Sequence, residues 1–69
     1  MTNNTIELTG VEDYREYDFG GRVYRIDNPK RVVVGKTTHR VVGDDGVVHC
    51  VPAPGYNGCV LRWVGEIVA

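Results

Sequence analysis

Serine and glutamine are absent from this 69-residue chain, and two leucines, two alanines and one methionine are all it has of the apolar helix formers. Without serine there is no serine nucleophile, and with so few apolar helix formers a long packed helix is unfavourable. Nine glycines and three prolines leave no uninterrupted stretch longer than nine residues. Any helix would therefore be short or broken, which excludes a helical fold. The absence of serine excludes a serine hydrolase.

Long apolar runs and a strong net charge are missing as well. No run approaches the roughly 18 residues of a membrane span, and the opening Met-Thr-Asn-Asn-Thr does not resemble a signal peptide. Nine acidic and eight basic side chains give a formal net charge of −1, so the overall charge favours neither a membrane nor a nucleic-acid partner. We therefore expect a cytoplasmic protein that has no membrane partner and whose two cysteines are reduced.

β-Branched side chains dominate what is present: thirteen valines, three isoleucines and five threonines. Such side chains favour a pleated sheet and lose rotamer freedom in a helix. A chain of 69 residues is long enough for one small domain, which buries about 60% of the surface of its unfolded form. We predict a single mostly-β domain over residues 5–69, preceded by a flexible N-terminus at residues 1–4.

Alternating or apolar segments bounded by glycine, proline and asparagine indicate six or seven short strands. The predicted strands cover residues 5–9, 15–19, 22–27, 31–34, 37–42, 47–51 and 59–64, with residues 66–69 as a continuation of the last. Thr9 and Glu12 resemble a capping box, so at most one helical turn is expected, near residues 10–14. Because no βαβ alternation occurs, we expect a small meander that forms an SH3-like or OB-like barrel or a rolled sheet.

The dipeptide Gly20-Gly21 predicts the register of one hairpin. Two glycines between apolar and aromatic runs are typical of a two-residue hairpin loop. Such a loop places Tyr17 opposite Tyr24 and Glu16 opposite Arg25. An aromatic pair and an opposite-charge pair are both favourable across neighbouring strands.

Metal-binding and nucleophilic residue types come together near a second predicted hairpin. A four-residue loop at residues 43–46 would place His39 opposite Cys50, and His49 and Cys59 complete a set of zinc-ligand types. The set lacks a Cys-x-x-Cys pair, no fourth ligand converges, and adjacent His49 and Cys50 point to opposite faces of a strand. Cys50 and His39 also lack an orienting carboxylate. We therefore expect no metal, no cofactor and no enzymatic activity, and keep a small zinc-binding β protein as an alternative.

Charge is distributed unevenly along the chain. Residues 1–19 hold five acids and one base (net −4), residues 20–43 six bases and one acid (net +5), and residues 44–69 three acids and one base (net −2). A basic sheet with aromatic residues is typical of small barrels that bind nucleic acid, so a nucleic-acid binder that uses residues 20–43 is the main alternative function. The competing interpretation is that the acidic first segment pairs with the basic strands inside the fold.

Aromatic and arginine side chains supply the candidate binding residues. Trp63, Leu61 and Cys59 share one face of the last predicted strand, and this face is wholly apolar. The pattern favours a core position for Trp63. Tyr56 lies in a glycine-rich turn and is expected to be exposed. The candidate partner-binding residues are Tyr24, Tyr56, Trp63, Arg22, Arg25 and Arg40.

Similarity to known proteins is local. Tyr17-Asp18-Phe19 resembles the opening strand of SH3 domains, although the tryptophan pair and the Pro-x-x-Tyr stretch of an SH3 peptide groove are absent from the sequence. In general style the chain resembles the small orphan proteins of bacteriophages and mobile elements. Neither resemblance names a family.

Size and surface together favour binding over catalysis. A core this small has no room for a preformed pocket of roughly several hundred cubic ångströms, whereas sheet edges and aromatic loops can recognise another chain. We predict a non-enzymatic β module that binds a partner protein, as an inhibitor, accessory factor or assembly subunit. The last four residues, Glu-Ile-Val-Ala, contain no lysine or proline to protect a strand edge. We expect a homodimer formed through an edge strand, with closure of residues 66–69 onto the first strand as the competing outcome.

Overall fold

Seven β-strands joined by turns make up residues 4–67, the part of the chain that the computed structural model describes. In chain order they are β1 (Asn4–Glu7), β2 (Glu12–Phe19), β3 (Arg22–Asp27), β4 (Arg31–Val34), β5 (Thr38–Val42), β6 (Val48–Pro52) and β7 (Val60–Glu66). The described residues contain no helix, and the predicted mostly-β fold of six or seven short strands is confirmed. The many β-branched residues and the frequent turn residues account for this result.

The strands form two antiparallel sheets that pack face to face. The four-stranded sheet has the order β1-β4-β5-β6, and the three-stranded sheet has the order β3-β2-β7. The C-terminal strand does not close onto β1, because Glu66 pairs with Glu12 of β2. Asn4, which we placed in the flexible N-terminus, already pairs with Val34. Residues 1–3 and 68–69 lie outside the described residues.

The core lies between the inner faces of the two sheets. It consists of Leu8, Tyr17, Ile26, Val32, Val41, Val51 and Cys59, with Phe19, Val34 and Leu61 packed against it. Tyr17 is the largest fully buried side chain among the described residues. Ile6 lies outside this core and is exposed, in β1, the outermost strand of its sheet.

The segment between β1 and β2 forms one tight turn that leads directly into a strand. The Leu8 carbonyl accepts hydrogen bonds from the N–H groups of Val11 (2.9 Å) and Glu12 (3.1 Å). The Thr9 hydroxyl donates to the Lys30 carbonyl (3.2 Å), and the Glu12 carboxylate binds a side chain of β2, so the predicted capping box does not form. β2 consequently starts at Glu12, earlier than predicted.

The hairpin at Gly20-Gly21 forms as predicted. Both glycines have positive φ, 59° and 73°, as a type I′ two-residue loop requires. The register places Tyr17 opposite Tyr24 and Glu16 opposite Arg25. Both predicted cross-strand pairs are therefore confirmed.

The second hairpin has a loop one residue longer than predicted. The Asp45 carboxylate accepts a hydrogen bond from the Val47 N–H (3.0 Å), and the Gly43 N–H donates to the Val47 carbonyl (2.9 Å). Aspartate commonly extends turns by this kind of bond to a backbone N–H two residues on. The extra residue shifts β5 against β6, so the predicted pairing of His39 with Cys50 is wrong.

Candidate interaction face

The outer face of the three-stranded sheet carries large apolar side chains in contact with solvent. Trp63 is 60% exposed and Val60 is 58% exposed, and Val23 is also exposed. The strand register places these residues around Glu16 and Asp18 of the central strand, β2. We call this surface the Trp63 face, and it consists of Tyr14, Glu16, Asp18, Val23, Arg25, Asp27, Val60, Arg62, Trp63 and Gly65.

An irregularity in β7 turns Trp63 outward. Glu16 lies opposite Trp63, but the next residue of β2, Tyr17, lies opposite Leu61, so Arg62 is an extra residue in the ladder. An inserted residue of this kind breaks the alternation of side chains along a strand. Leu61 consequently packs against the core while Trp63 faces solvent. The predicted core position of Trp63 is therefore wrong.

Tyr14 is held on the Trp63 face by two contacts. A Cβ atom added to Gly65 would come within 2.2 and 2.4 Å of ring carbons of Tyr14, so the ring packs directly on the glycine backbone. The guanidinium carbon of Arg25 lies 4.0 Å from the centre of the same ring, which is a cation–π distance. Tyr14 was not among the predicted binding residues, although an isolated glycine inside a strand often marks such a close approach.

The charges on the Trp63 face are compensated within the face. Arg25 binds Asp27 through Nε (2.8 Å) and approaches Glu16 through Nη1 (3.7 Å). The hydrogen bond to Asp27 raises the pKa of Arg25. Arg62 approaches Asp18 (3.5 Å). The face thus holds three carboxylates and two guanidiniums, a formal net charge of −1.

A buried polar cluster, which we call the inner clasp, joins the two sheets behind the Trp63 face. Its members are Glu12, Arg15 and Tyr17 of β2 and His39 of β5. Arg15 donates to the Glu12 carboxylate (2.5 and 3.1 Å) and to the Tyr17 hydroxyl oxygen (2.7 Å), which lies 2.9 Å from Nδ1 of His39. A register shift between Glu12 and Tyr14 brings Glu12 to the same side as Arg15. This cluster was not predicted from the sequence, because alternation along a regular strand puts residues three apart on opposite faces.

Burial governs the ionisation of the inner clasp. Desolvation, and then the nearby Arg15, lower the pKa of His39. Desolvation also raises the pKa of the Tyr17 hydroxyl. Desolvation disfavours the charged form of Arg15. The hydrogen bond to Glu12 and the interactions with Tyr17 outweigh this effect and raise the pKa of Arg15. The clasp therefore holds a charged arginine, a neutral tyrosine and a neutral histidine at neutral pH.

A second tyrosine–histidine contact, which we call the outer contact, joins the same two sheets nearer to solvent. The Tyr24 hydroxyl lies 3.0 Å from Nδ1 of His49 on β6. The two rings meet edge to face at 5.9 Å, and Phe19 stacks against Tyr24 at 6.3 Å. Tyr24 was one of our candidate binding residues, and this contact places it on the inner side of the three-stranded sheet.

The other candidate binding residues are dispersed over the molecule. Arg25 and Trp63 share the Trp63 face, but Arg40 lies on the outer face of the four-stranded sheet, opposite Cys50. Arg22 lies at the start of β3, opposite Phe19. Tyr56 is exposed in the loop before β7, which confirms that prediction.

The basic segment at residues 20–43 does not form one surface. Its strand β3 belongs to the three-stranded sheet, whereas β4 and β5 belong to the four-stranded sheet. Arg25 pairs with Glu16, and Arg31 pairs with Glu7 (3.2 Å). Acidic residues of the first segment thus pair with basic residues of the middle segment, as the competing interpretation of the charge pattern predicts.

The residue types suited to zinc are also separated. His39 faces the core, Cys50 is exposed on the outer face of the four-stranded sheet, and Cys59 is buried. Both cysteines are free, and burial raises the pKa of the Cys59 thiol. Within residues 4–67, no group of three or more histidine, cysteine, aspartate or glutamate side chains is placed to hold a metal ion.

Two depressions lie on the described part of the surface. One depression of about 190 Å³ is lined by residues that include Pro29, Lys30 and Ile67, and another of about 170 Å³ by residues that include Lys36 and Arg40. Both are smaller than the roughly 300–1,000 Å³ typical of small-molecule sites.

Comparisons with known proteins add no functional assignment. No protein-family model matches the chain, and neither curated proteins nor solved structures give a significant match. Residues 4–67 include no helix with the length and apolar character needed to cross a membrane.

Proposed function

We propose that this chain is a non-catalytic module that binds a partner protein through the Trp63 face. The observation that carries the proposal is the exposure of Trp63, the one tryptophan of the sequence, on the outer face of a β-sheet. Tryptophan, tyrosine and arginine are the residue types enriched among binding hot spots. Tyr14 and Arg25 contact each other on the same face. Burial of these side chains by a partner would remove a large apolar area from water.

The fixed geometry of the Trp63 face supports the same proposal. The Tyr14 ring packs on Gly65 and contacts Arg25, which is itself bound by Asp27. Side chains that are already held in place lose less conformational entropy when a partner binds. The face can therefore contribute more of its contact energy to affinity than a set of mobile side chains could.

The charge of the Trp63 face favours a protein partner over a nucleic acid. Its net charge is negative, and its two arginines, Arg25 and Arg62, are already paired with carboxylates. A phosphate backbone gains affinity mainly from unpaired basic groups. Paired charges around apolar residues are instead typical of the polar rim of a protein interface.

The test is affinity capture from the native host with three baits: the wild-type chain, Trp63→Ala, and Tyr56→Ala. Tyr56 is a matched control because it is also an exposed aromatic residue, but it lies in the loop before β7 and is not a member of the Trp63 face. We expect one protein to be retained by the wild type and by Tyr56→Ala and to be lost with Trp63→Ala. A hot-spot tryptophan contributes about 2 kcal/mol or more, which is roughly a 30-fold loss of affinity. Equal retention by Trp63→Ala contradicts the proposal.

A titration with the purified partner separates the proposal from the nucleic-acid alternative. Because Trp63 is the single tryptophan, its fluorescence emission should shift to shorter wavelength when the partner covers it. We expect this binding to change little with added salt. Binding to nucleic acid that falls steeply with salt and weakens on substitution of Arg22, Arg25 or Arg40 would favour the alternative.

We also propose that the chain forms a homodimer through the outer edge of β7, an end strand of the three-stranded sheet. β7 has seven residues and is longer than the other edge strands β1, β3 and β6. It contains neither lysine nor proline, which commonly protect strand edges. Two-fold pairing of identical strands would cover the edge and close the assembly. Sedimentation equilibrium at about tens of micromolar should give twice the chain mass, and a monomeric mass refutes the dimer.

A further inference from the structure

We propose that His39 is a proton-sensing site, at which protonation of the imidazole breaks the hydrogen-bonded connection between the two sheets. The connection is the inner clasp, in which the Tyr17 hydroxyl of the three-stranded sheet meets His39 of the four-stranded sheet at 2.9 Å. The proposal does not rest on the docking role of the Trp63 face, and it can be tested on the chain alone.

The number of donors and acceptors in the inner clasp determines where each proton lies. Arg15 has donors only, so the Tyr17 oxygen accepts its hydrogen bond (2.7 Å). Among the described residues, Nδ1 of His39 is the one acceptor in contact with the Tyr17 hydroxyl, so the hydroxyl hydrogen is donated to it. Nδ1 must therefore be unprotonated, and the neutral imidazole carries its proton on Nε2.

Protonation of His39 removes the acceptor on which this arrangement depends. With a hydrogen on Nδ1, two donors face each other, and the Tyr17 hydroxyl already receives a hydrogen bond from Arg15. Tyr17 is fully buried, so its displaced hydroxyl hydrogen has no water to bind. An unsatisfied buried donor destabilises the folded state.

The surroundings of His39 also oppose a positive charge. The titratable groups that face it from β2 are Tyr17 and Arg15, and the Glu12 carboxylate is already bound to Arg15 on the far side. Its partners by register in its own sheet are apolar, Val34 on β4 and Val51 on β6. The buried Cys59 thiol, which interacts with Tyr17, stays neutral because burial raises its pKa. No free carboxylate among these neighbours balances an imidazolium.

Folding stability should therefore decrease in mildly acidic solution. The unfolded chain binds a proton at His39 with a pKa of about 6.5, whereas burial lowers the pKa in the folded state. The contribution of neutral His39 to folding stability is complete above about pH 6.5. It is lost as the pH falls from there toward the lower pKa of the folded state. In that interval the unfolded chain binds up to one proton more than the folded chain. Each unit by which the pH falls then reduces the folding equilibrium constant by up to about tenfold.

The first experiment measures the folding equilibrium constant by urea denaturation at about pH 7.5 and pH 5.5 for the wild type, His39→Asn and His49→Asn. The asparagine oxygen can accept the Tyr17 hydrogen bond but does not titrate. We expect the constant of the wild type to fall over this range, by up to roughly tenfold, and that of His39→Asn to stay constant. His49→Asn is the matched control and should keep the slope of the wild type. If the folding equilibrium constant of His39→Asn falls between about pH 7.5 and pH 5.5 as much as that of the wild type, the proposal is wrong.

The second experiment follows the histidine rings of the wild-type chain by NMR as the pH is lowered, so it remains decisive if His39→Asn fails to fold. We expect His39 to carry its proton on Nε2 at neutral pH and to titrate below about pH 6.5. A His39 ring that titrates at or above about pH 6.5 while the native signals persist overturns the proposal.

Discussion

Two tyrosine–histidine hydrogen bonds connect the same two sheets, and they differ almost only in their surroundings. The inner clasp joins Tyr17 to His39 with an oxygen–nitrogen distance of 2.9 Å, and the outer contact joins Tyr24 to His49 at 3.0 Å. The ring centroids lie 5.6 and 5.9 Å apart. Tyr17, however, is completely buried, whereas Tyr24 is 40% exposed.

The comparison shows that burial, more than geometry, determines what such a bond contributes. A group near the surface can exchange its protein partner for water, so an exposed hydrogen bond has a small net effect. A buried group has no such replacement, and the loss of its partner leaves the full cost of desolvation. The inner clasp also contains the charged pair of Arg15 and Glu12, for which this cost is largest.

The largest expected difference concerns the glutamates that bind Arg15 of β2 and Arg25 of β3. Glu12→Gln leaves the buried guanidinium of Arg15 without its counter-ion, which should lower the free energy of unfolding by about 3–5 kcal/mol. Glu16→Gln is the matched control, because its partner Arg25 is half-exposed and 3.7 Å away. That change should cost at most about 1 kcal/mol. Urea denaturation at neutral pH measures both, and equal losses would contradict the comparison.

The next difference concerns the two hydroxyl groups. Tyr17→Phe leaves a buried donor of Arg15 and the acceptor of His39 unpaired, which should lower the free energy of unfolding by about 1–3 kcal/mol. Tyr24→Phe removes the same group from an exposed position and should cost less than about 1 kcal/mol. Thermal unfolding followed by circular dichroism measures the two variants side by side. A larger loss for Tyr24→Phe would mean that the outer contact, and not the inner clasp, holds the sheets together.

The smallest expected effect is a direct coupling between the two tyrosines. Tyr17 and Tyr24 are opposite each other across β2 and β3, where an aromatic pair contributes about 0.2–1 kcal/mol. A double-mutant cycle with Tyr17→Ala and Tyr24→Ala measures this coupling. No coupling would indicate that the inner clasp and the outer contact act independently.

Local sequence was sufficient for features whose cause is local. The loop Gly20-Gly21 predicts its own register because two consecutive residues with positive φ are required there and glycine adopts them freely. The continuous apolar segment of β4 was predicted with its correct bounds, Arg31–Val34. The pairing of Glu16 with Arg25 follows from the same hairpin and needs no knowledge of the rest of the fold.

Errors arose where a strand departs from alternation. The extra residue at Arg62 reverses the face of Trp63, and the shift near Glu12 brings that carboxylate beside Arg15. Neither departure is visible in one strand alone, because a bulge is a relation between a strand and its neighbour. The candidate face was therefore predicted only in part, with Arg25 and Trp63 named and Tyr14 missed.

The sequence by itself determined that this protein is a β-protein with short strands, because β-branched residues are abundant and glycine and proline interrupt every longer segment. Only the tertiary structure decided which side chains are buried and which are presented to solvent. The pairing of β2 with β7 sets both irregularities, and the packing of β2 against β5 encloses Tyr17 and His39. These contacts join residues far apart in the chain, so the patterns within any single strand could not predict them.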